Sequence, residues 1–249
     1  MAQWHDGKVV NRIDWNDHLF SLQFECAEFP KFKAGQFTKV GLTQADNTVL
    51  SRPYSLVNSP NAEYLEIIAV PVEDGSLSPK LHELQIGDGV KIMSPATGFL
   101  VLDEVPHSQT LFLVATGTGV GPFISILEGE DVWTKYTNVV LVYGARQKSD
   151  LAYSDKIQHW LTHKSKQFHF VPIVSREVSP NTLKGRIPEL IEKGAIQHKC
   201  GFEFDPLSCQ VMLCGNPDMI KDTLGVLESF GLKKHLRRSP GQISLERYW

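Results

Sequence analysis

The sequence predicts an antiparallel β-barrel or sandwich followed by a parallel α/β domain. Two observations carry this. Up to about residue 100, apolar residues fall in short β-like runs cut by turn-forming pairs. After residue 108, continuous apolar runs alternate with helical stretches. A length of 249 residues, 42% of them hydrophobic, supplies material for two cores of ordinary size.

In the first half the expected strands are Gly7–Trp15, Leu19–Glu25, Gln36–Leu42, Ser51–Val57, Leu65–Val72 and Val90–Met93. Ala34-Gly35, Asp46-Asn47, Asp74-Gly75 and Gly87-Asp88-Gly89 punctuate them as turns. A short helix is expected at Ser78–Leu84, with Ser78 as its cap and Pro79 at its first position. Both patterns break near Leu102–Ser108, so the expected domains are residues 1–103 and 104–249.

In the second half, Thr110–Ala115, Val139–Tyr143, Phe168–Val174 and Gln210–Cys214 read as strands buried on both faces. Helices are expected near Pro122–Glu128, Tyr153–His163, Ile187–Lys193 and Pro217–Ser229. Strand alternating with helix implies parallel βαβ units.

Composition excludes several classes. A formal net charge of −3 gives no global attraction to nucleic acid or an anionic membrane. No apolar run reaches the roughly 20 residues that span a bilayer. The start, MAQWHDGK, lacks the apolar core of a signal peptide, so a cytoplasmic location is expected. Cys26, Cys200, Cys209 and Cys214 show neither zinc-ribbon nor iron–sulfur spacing, and no metal site is expected.

Three stretches point to chemistry. Ser51-Arg52-Pro53-Tyr54-Ser55 sets a cation, a ring and a hydroxyl on one strand, as a site for a flat anionic ligand would. Read structurally, Arg52 is solvated and Tyr54 packs. Thr116-Gly117-Thr118-Gly119-Val120-Gly121-Pro122 joins a buried strand to a helix, where backbone amides can approach a pyrophosphate; the alternative is a tight structural turn. A Rossmann site for NAD places a carboxylate at the second strand's end. Here that end reads Ala145-Arg146, the third reads Ser175-Arg176, and Arg186 follows. Each arginine alone reads as a solvated loop residue. Three at strand ends favour the extra phosphate of NADP. Cys214 falls at the same carboxyl edge, beside Gly215 and Asn216, either as a small hydrophobe or against a nicotinamide.

Together these stretches resemble the ferredoxin–NADP reductase family, and its short bacterial ferredoxin/flavodoxin–NADP reductases in particular. Arg52-Pro53-Tyr54-Ser55 is similar to the family's R-x-Y-S flavin motif, and Gly75-Ser76-Leu77-Ser78 to its second flavin segment. Gly117–Pro122 is similar to the nucleotide loop, and Leu213-Cys214-Gly215-Asn216-Pro217 to the nicotinamide-side motif. The terminal Tyr248-Trp249 also matches, and the likeness covers nearly the whole chain.

The resemblance implies a Greek-key barrel holding FAD and a Rossmann-like domain holding NADP. It assigns Arg52 to the FAD pyrophosphate, Tyr54 to the flavin face and Ser55 to the neighbourhood of flavin N5. Pro53, Ile68 (an aromatic position in some relatives), Ser76, Leu77, Ser78 and Thr118 join the FAD site. Tyr248 would cover the flavin ring and Trp249 would meet the adenine. Gly117, Gly119, Ala145, Arg146, Ser175, Arg176, Arg186, Asn216 and Asp222 fall to NADP. Ser55, Cys214 and Tyr248 are the expected catalytic residues. The implied reaction passes a hydride from NADPH to FAD and then single electrons to ferredoxin or flavodoxin, with the protein a monomer. A reductase serving an oxygenase, or a nucleotide-binding module without activity, are the rival readings. Lys233-Lys234-His235-Leu236-Arg237-Arg238 is either a docking patch for an acidic carrier or a solvated helix exit.

Overall fold

The computed structural model describes residues 2–247, which form two compact units: 2–101 with 121–129, and 102–120 with 130–247. Tyr248 and Trp249, with the roles expected for them, lie outside the described residues.

The first unit is one antiparallel sheet. Its strands are β1 (Gln3–Asp14), β2 (Phe20–Glu25), β3 (Phe37–Thr43), β4 (Val49–Ser55), β5 (Leu65–Ala69) and β6 (Gly89–Ser94), in the order β4-β3-β6-β1-β2-β5. Insertion of β6 between the β1–β2 and β3–β4 hairpins gives the crossed-over connectivity expected of a Greek-key barrel. The edge strands β4 and β5 approach without pairing, so the barrel is half open. Val9, Phe20, Leu22, Phe24, Val40, Ile67 and Ile92 fill it, together with Leu77 and Leu81 from around α1 (Ser78–Glu83). In this unit α2 (Gly121–Leu127) is tied down by Ser125 Oγ, which donates to Asn58 O at 2.7 Å. Glu128 accepts the Ser59 amide at 2.7 Å.

β1 starts four residues before the expected Gly7. Gln-Trp-His-Asp carries no strand-like apolar alternation. Pairing makes it a strand, with Gln3 opposite Ser94 and Asp6 opposite Lys91. His5 locks the pairing: Nδ1 lies 3.0 Å from Glu28 Oε2 and Nε2 lies 2.6 Å from Ser94 Oγ.

The second unit is a six-stranded parallel sheet. Its strands are β7 (Thr110–Thr116), β8 (Asn138–Ala145), β9 (Phe168–Val174), β10 (Leu183–Lys184), β11 (Cys209–Gly215) and β12 (Ile243–Arg247), in the order β10-β9-β8-β7-β11-β12. Its helices are α3 (Asp131–Lys135), α4 (Ser154–His163), α5 (Ile187–Glu192), α6 (Ala195–Cys200) and α7 (Pro217–Ser229). Phe112, Val114, Val140, Val142, Val211 and Leu213 pack one sheet face against α5, α6 and α7. The chain builds outward from β7 through β8 to β10, then returns to lay β11 and β12 on the other side. That reversal creates a switch point between β7 and β11, where open α/β sheets bind ligands at the strands' carboxyl ends. Among the described residues, no helix is long and apolar enough to cross a membrane.

Candidate functional site

In the barrel unit the site candidates gather on the free edge strand β4. Pro53 is tolerated there because an edge strand need not offer every amide to a neighbour. Register sets Tyr54 opposite Thr38 and Ser55 opposite Phe37, so the two side chains leave opposite sides of the strand. Tyr54 is half-buried against the core, and burial pushes its phenol up to about 12, so it stays a neutral ring and hydrogen-bond donor. Ser55 is 3% exposed, and its Oγ finds no hydrogen-bond partner among the described residues. A buried hydroxyl left unpaired costs roughly 1–3 kcal/mol, so it needs a reason.

Arg52 is exposed and reaches across to the 72–78 loop, with Nη2 3.4 Å from Ser76 Oγ. Ser78 is not the cap of α1 but its first residue. Leu77 holds the cap position and gives no side-chain bond. The Ser78 hydroxyl instead accepts the Val72 amide at 3.0 Å, which closes the loop. Leu77 is buried, so only its backbone faces any ligand here. The first amides of α1 are thus left without a side-chain partner beside a guanidinium, which suits a pyrophosphate. Ile68 is buried on β5, opposite Ser21. A flat ring laid along β4, with its phosphates toward Arg52 and Ser76, would meet the unpaired Ser55 hydroxyl; these residues fit FAD.

In the α/β unit the switch point is built by close backbone packing. The Gly117–Val120 turn follows β7, and Thr116 Oγ1 accepts the Asn216 amide at 3.0 Å from the end of β11. A Cβ on Gly119 would lie 2.6 Å from Cys214 O and 2.6 Å from Gly215 Cα. On Gly215, at φ +136°, it would run into Thr116. Gly117 differs: at φ +55°, nothing lies within 4 Å of its Cβ position. So Gly119 is demanded by packing, while Gly117 keeps one side of the loop open, as a backbone-bound phosphate requires. Thr118 is half-buried between them.

The Asn216 side chain is committed to α7, accepting the amides of Asp218 and Met219 at 2.9 and 3.1 Å. Asp222 is exposed in the second turn of α7. Cys214 is fully buried, and none of the four cysteines forms a disulfide.

Backbone pairing sets the three arginines beyond the carboxyl ends of neighbouring strands. Pairing of β8 with β9 continues past both strands: Ala145 O accepts the Ser175 amide at 3.1 Å, and Arg146 O accepts the Arg176 amide at 2.9 Å. The short β10 pairs beside Val174 and delivers Arg186 just beyond it. All three arginines are exposed, and none makes an ion pair with a described residue. Exposed guanidinium groups at neighbouring strand ends suit a nucleotide phosphate.

One residue escaped the sequence reading. Parallel pairing of β12 sets Glu246 opposite Cys214. Burial pushes its carboxyl up to about 7, and Oε1 has no partner among the described residues. The residue therefore brings a carboxyl that gains and loses its proton near neutrality to the strand end that carries Cys214. A pentapeptide reading Ile-Ser-Leu-Glu-Arg near a chain end gave no strand signal, so neither β12 nor this neighbour was visible.

The oxidoreductase FAD-binding domain family matches residues 8–100, and the oxidoreductase NAD-binding domain family matches residues 113–224. Over its full length the chain is 45% identical to the flavodoxin/ferredoxin–NADP reductase of Escherichia coli, covering all of that protein. The chain belongs to the flavodoxin/ferredoxin–NADP reductase family. It is also 34% identical to the ferredoxin–NADP reductase of Pseudomonas aeruginosa, over 99% of this chain and 98% of that one. Among solved structures, the ferredoxin NADP+ reductase of Neisseria gonorrhoeae, with bound FAD and NADP, superimposes with a TM-score of 0.94. The two are 32% identical, with both chains fully covered. The family's fold, an antiparallel half-barrel joined to a parallel α/β sheet, is the one found here.

Proposed function

We propose that this protein is an FAD-dependent reductase that moves electrons between NADPH and a one-electron carrier, ferredoxin or flavodoxin. The observation that carries the reading is the buried, unpaired Ser55 hydroxyl on the strand that also bears Arg52 and Tyr54. Family membership and the three exposed arginines, which make no ion pair with a described residue, support it. FAD, when bound, would supply the exchange between two-electron hydride chemistry and single-electron transfer, which nicotinamide does not readily perform. Arg52 and the amides at the start of α1 hold the pyrophosphate, Tyr54 offers an apolar face to the ring, and Ser55 offers the flavin edge a hydrogen bond. Arg146, Arg176 and Arg186 hold the NADP phosphates, and Gly117–Gly119 give backbone amides. Cys214 and Glu246 shape the strand end where a nicotinamide would lie. Tyr248 and Trp249 are assigned to the flavin ring and adenine from family likeness alone. The protein acts in the cytoplasm as a monomer.

The purified protein is expected to be yellow, to release FAD and not FMN on denaturation, and to oxidise NADPH at a rate that depends on added ferredoxin or flavodoxin. A colourless protein that binds NADP+ without turnover would leave a binding module. Turnover with neither carrier would move the assignment to another acceptor.

A further inference from the structure

We propose that His159 and His163 on α4 form a two-imidazole binding site for a divalent transition metal, outside the redox machinery. The two residues are four apart, so they stand one above the other on the same face of the helix. Both are exposed, while Ile157 and Trp160 are the buried residues of that helix. Their rings are stacked, with centroids 4.0 Å apart and planes 26° from parallel.

The hydrogen bonding sets the chemistry. His163 Nδ1 lies 2.9 Å from the His159 carbonyl oxygen. A carbonyl only accepts, so Nδ1 carries the proton and Nε2 of the neutral ring keeps its lone pair. An imidazole tied through one N–H to a backbone carbonyl is the usual arrangement of a metal-bound histidine. Metal–nitrogen bonds of 2.0–2.1 Å place two adjacent ligand nitrogens about 3 Å apart. Stacked rings 4.0 Å apart aim their in-plane lone pairs side by side, so both exposed side chains must turn to point one nitrogen each at a shared ion.

Among the described residues, no group of three or more histidine, cysteine, aspartate or glutamate side chains is arranged for a metal ion. Water must therefore complete the coordination, and the site is open and exchangeable rather than a structural clamp. Two nitrogen ligands select copper, nickel and zinc over magnesium or calcium. Among the first-row divalent ions Cu2+ binds tightest.

The test is titration of Cu2+ into the full-length protein in a non-coordinating buffer near neutral pH, followed by calorimetry and electron paramagnetic resonance. One ion per chain is expected at this site, with splitting from two equivalent imidazole nitrogens. His159→Asn and His163→Asn should each weaken binding by at least about tenfold, about 1.4 kcal/mol, and leave one nitrogen in the splitting. His198→Asn, an exposed histidine on α6, should leave both readouts unchanged. NADPH oxidation without metal should be the same in all three variants. Wild-type affinity in either His159→Asn or His163→Asn, or a spectrum from one nitrogen in the unmodified protein, overturns the proposal.

Discussion

At the scale of single residues, two kinds of ionisable side chain make opposite kinds of prediction. Arg176 and Arg186 are exposed and make no ion pair with a described residue, so removing either leaves no buried charge behind. The loss should fall on ligand alone. A hydrogen bond to a charged group contributes roughly 1.5–3 kcal/mol, so Arg176→Ala and Arg186→Ala should each weaken NADPH binding by about 10- to 150-fold. NADH lacks the extra phosphate and should lose little. Steady-state kcat/KM for both nucleotides decides it: an equal loss for NADH and NADPH moves the arginine to the part the two share. Glu246 is the buried counterpart. Its carboxyl, raised by burial from 4.5 to about 7, stays protonated in the folded chain where the unfolded chain has ionised. That stability is fully present below the unfolded value and is lost as pH rises through 7. Glu246→Gln cannot ionise, so the variant should match the parent near pH 4.5 and exceed it above pH 8, by at most about 3 kcal/mol. Denaturant melts across that range measure it. A constant difference at every pH would mean that Glu246 titrates normally.

At the scale of elements, legibility in the sequence followed the strength of local pattern. The inner strands of the parallel sheet were readable because a strand covered on both faces must be apolar throughout, as Leu-Phe-Leu-Val-Ala is in β7. The strands β10 and β12 were not readable: two residues of one and a half-polar pentapeptide of the other owe their form to pairing with neighbours, not to composition. The site divided the same way. The R-P-Y-S strand and the glycine loop stand as contiguous strings. The placement of Glu246 beside Cys214 exists only through a register 32 residues apart in sequence. Expecting Ser78 as a cap was reasonable from residue type, yet its hydroxyl is taken by the Val72 amide, a loop contact that outranks the helix end. The glycine loop makes a paired prediction. In Gly119→Ala the new methyl meets backbone atoms of Cys214 and Gly215, which cannot step aside, so thermal stability and NADP+ affinity should both fall. Gly225→Ala, exposed inside α7 with nothing within 4 Å, should instead raise stability by roughly 0.5–1 kcal/mol and leave NADP+ binding alone. Unchanged NADP+ affinity in a folded Gly119→Ala would show that this close packing does not shape the phosphate site.

At the scale of the whole molecule, charge is distributed against the average. The chain carries a formal net charge of −3, yet residues 233–238 hold four cations and a histidine. The structure separates them. Arg237 is held in a two-pronged bond to Glu104, at 3.0 and 2.6 Å, and its charge is largely neutralised. Lys233, Lys234 and Arg238 are exposed and make no ion pair with a described residue. Exposed charges of this kind contribute little to stability, but they do accelerate encounter with a partner of opposite sign. Their reach is about a Debye length, roughly 10 Å at 0.1 M salt and 3 Å at 1 M. Reversing Lys233, Lys234 and Arg238 to glutamate together should therefore raise the KM for an acidic carrier and flatten its dependence on salt. Thermal stability and the rate of flavin reduction by NADPH should stay as in the parent, because neither step involves the carrier. Arg237→Glu is the internal contrast: it places like charges together at Glu104, so it should lower stability. The decisive measurement is carrier-dependent turnover between 0.02 and 0.5 M salt, a range over which the Debye length shrinks from about 20 to about 4 Å. If the triple variant keeps the parent's KM and salt slope, the stretch is a solvated helix exit and the carrier docks elsewhere.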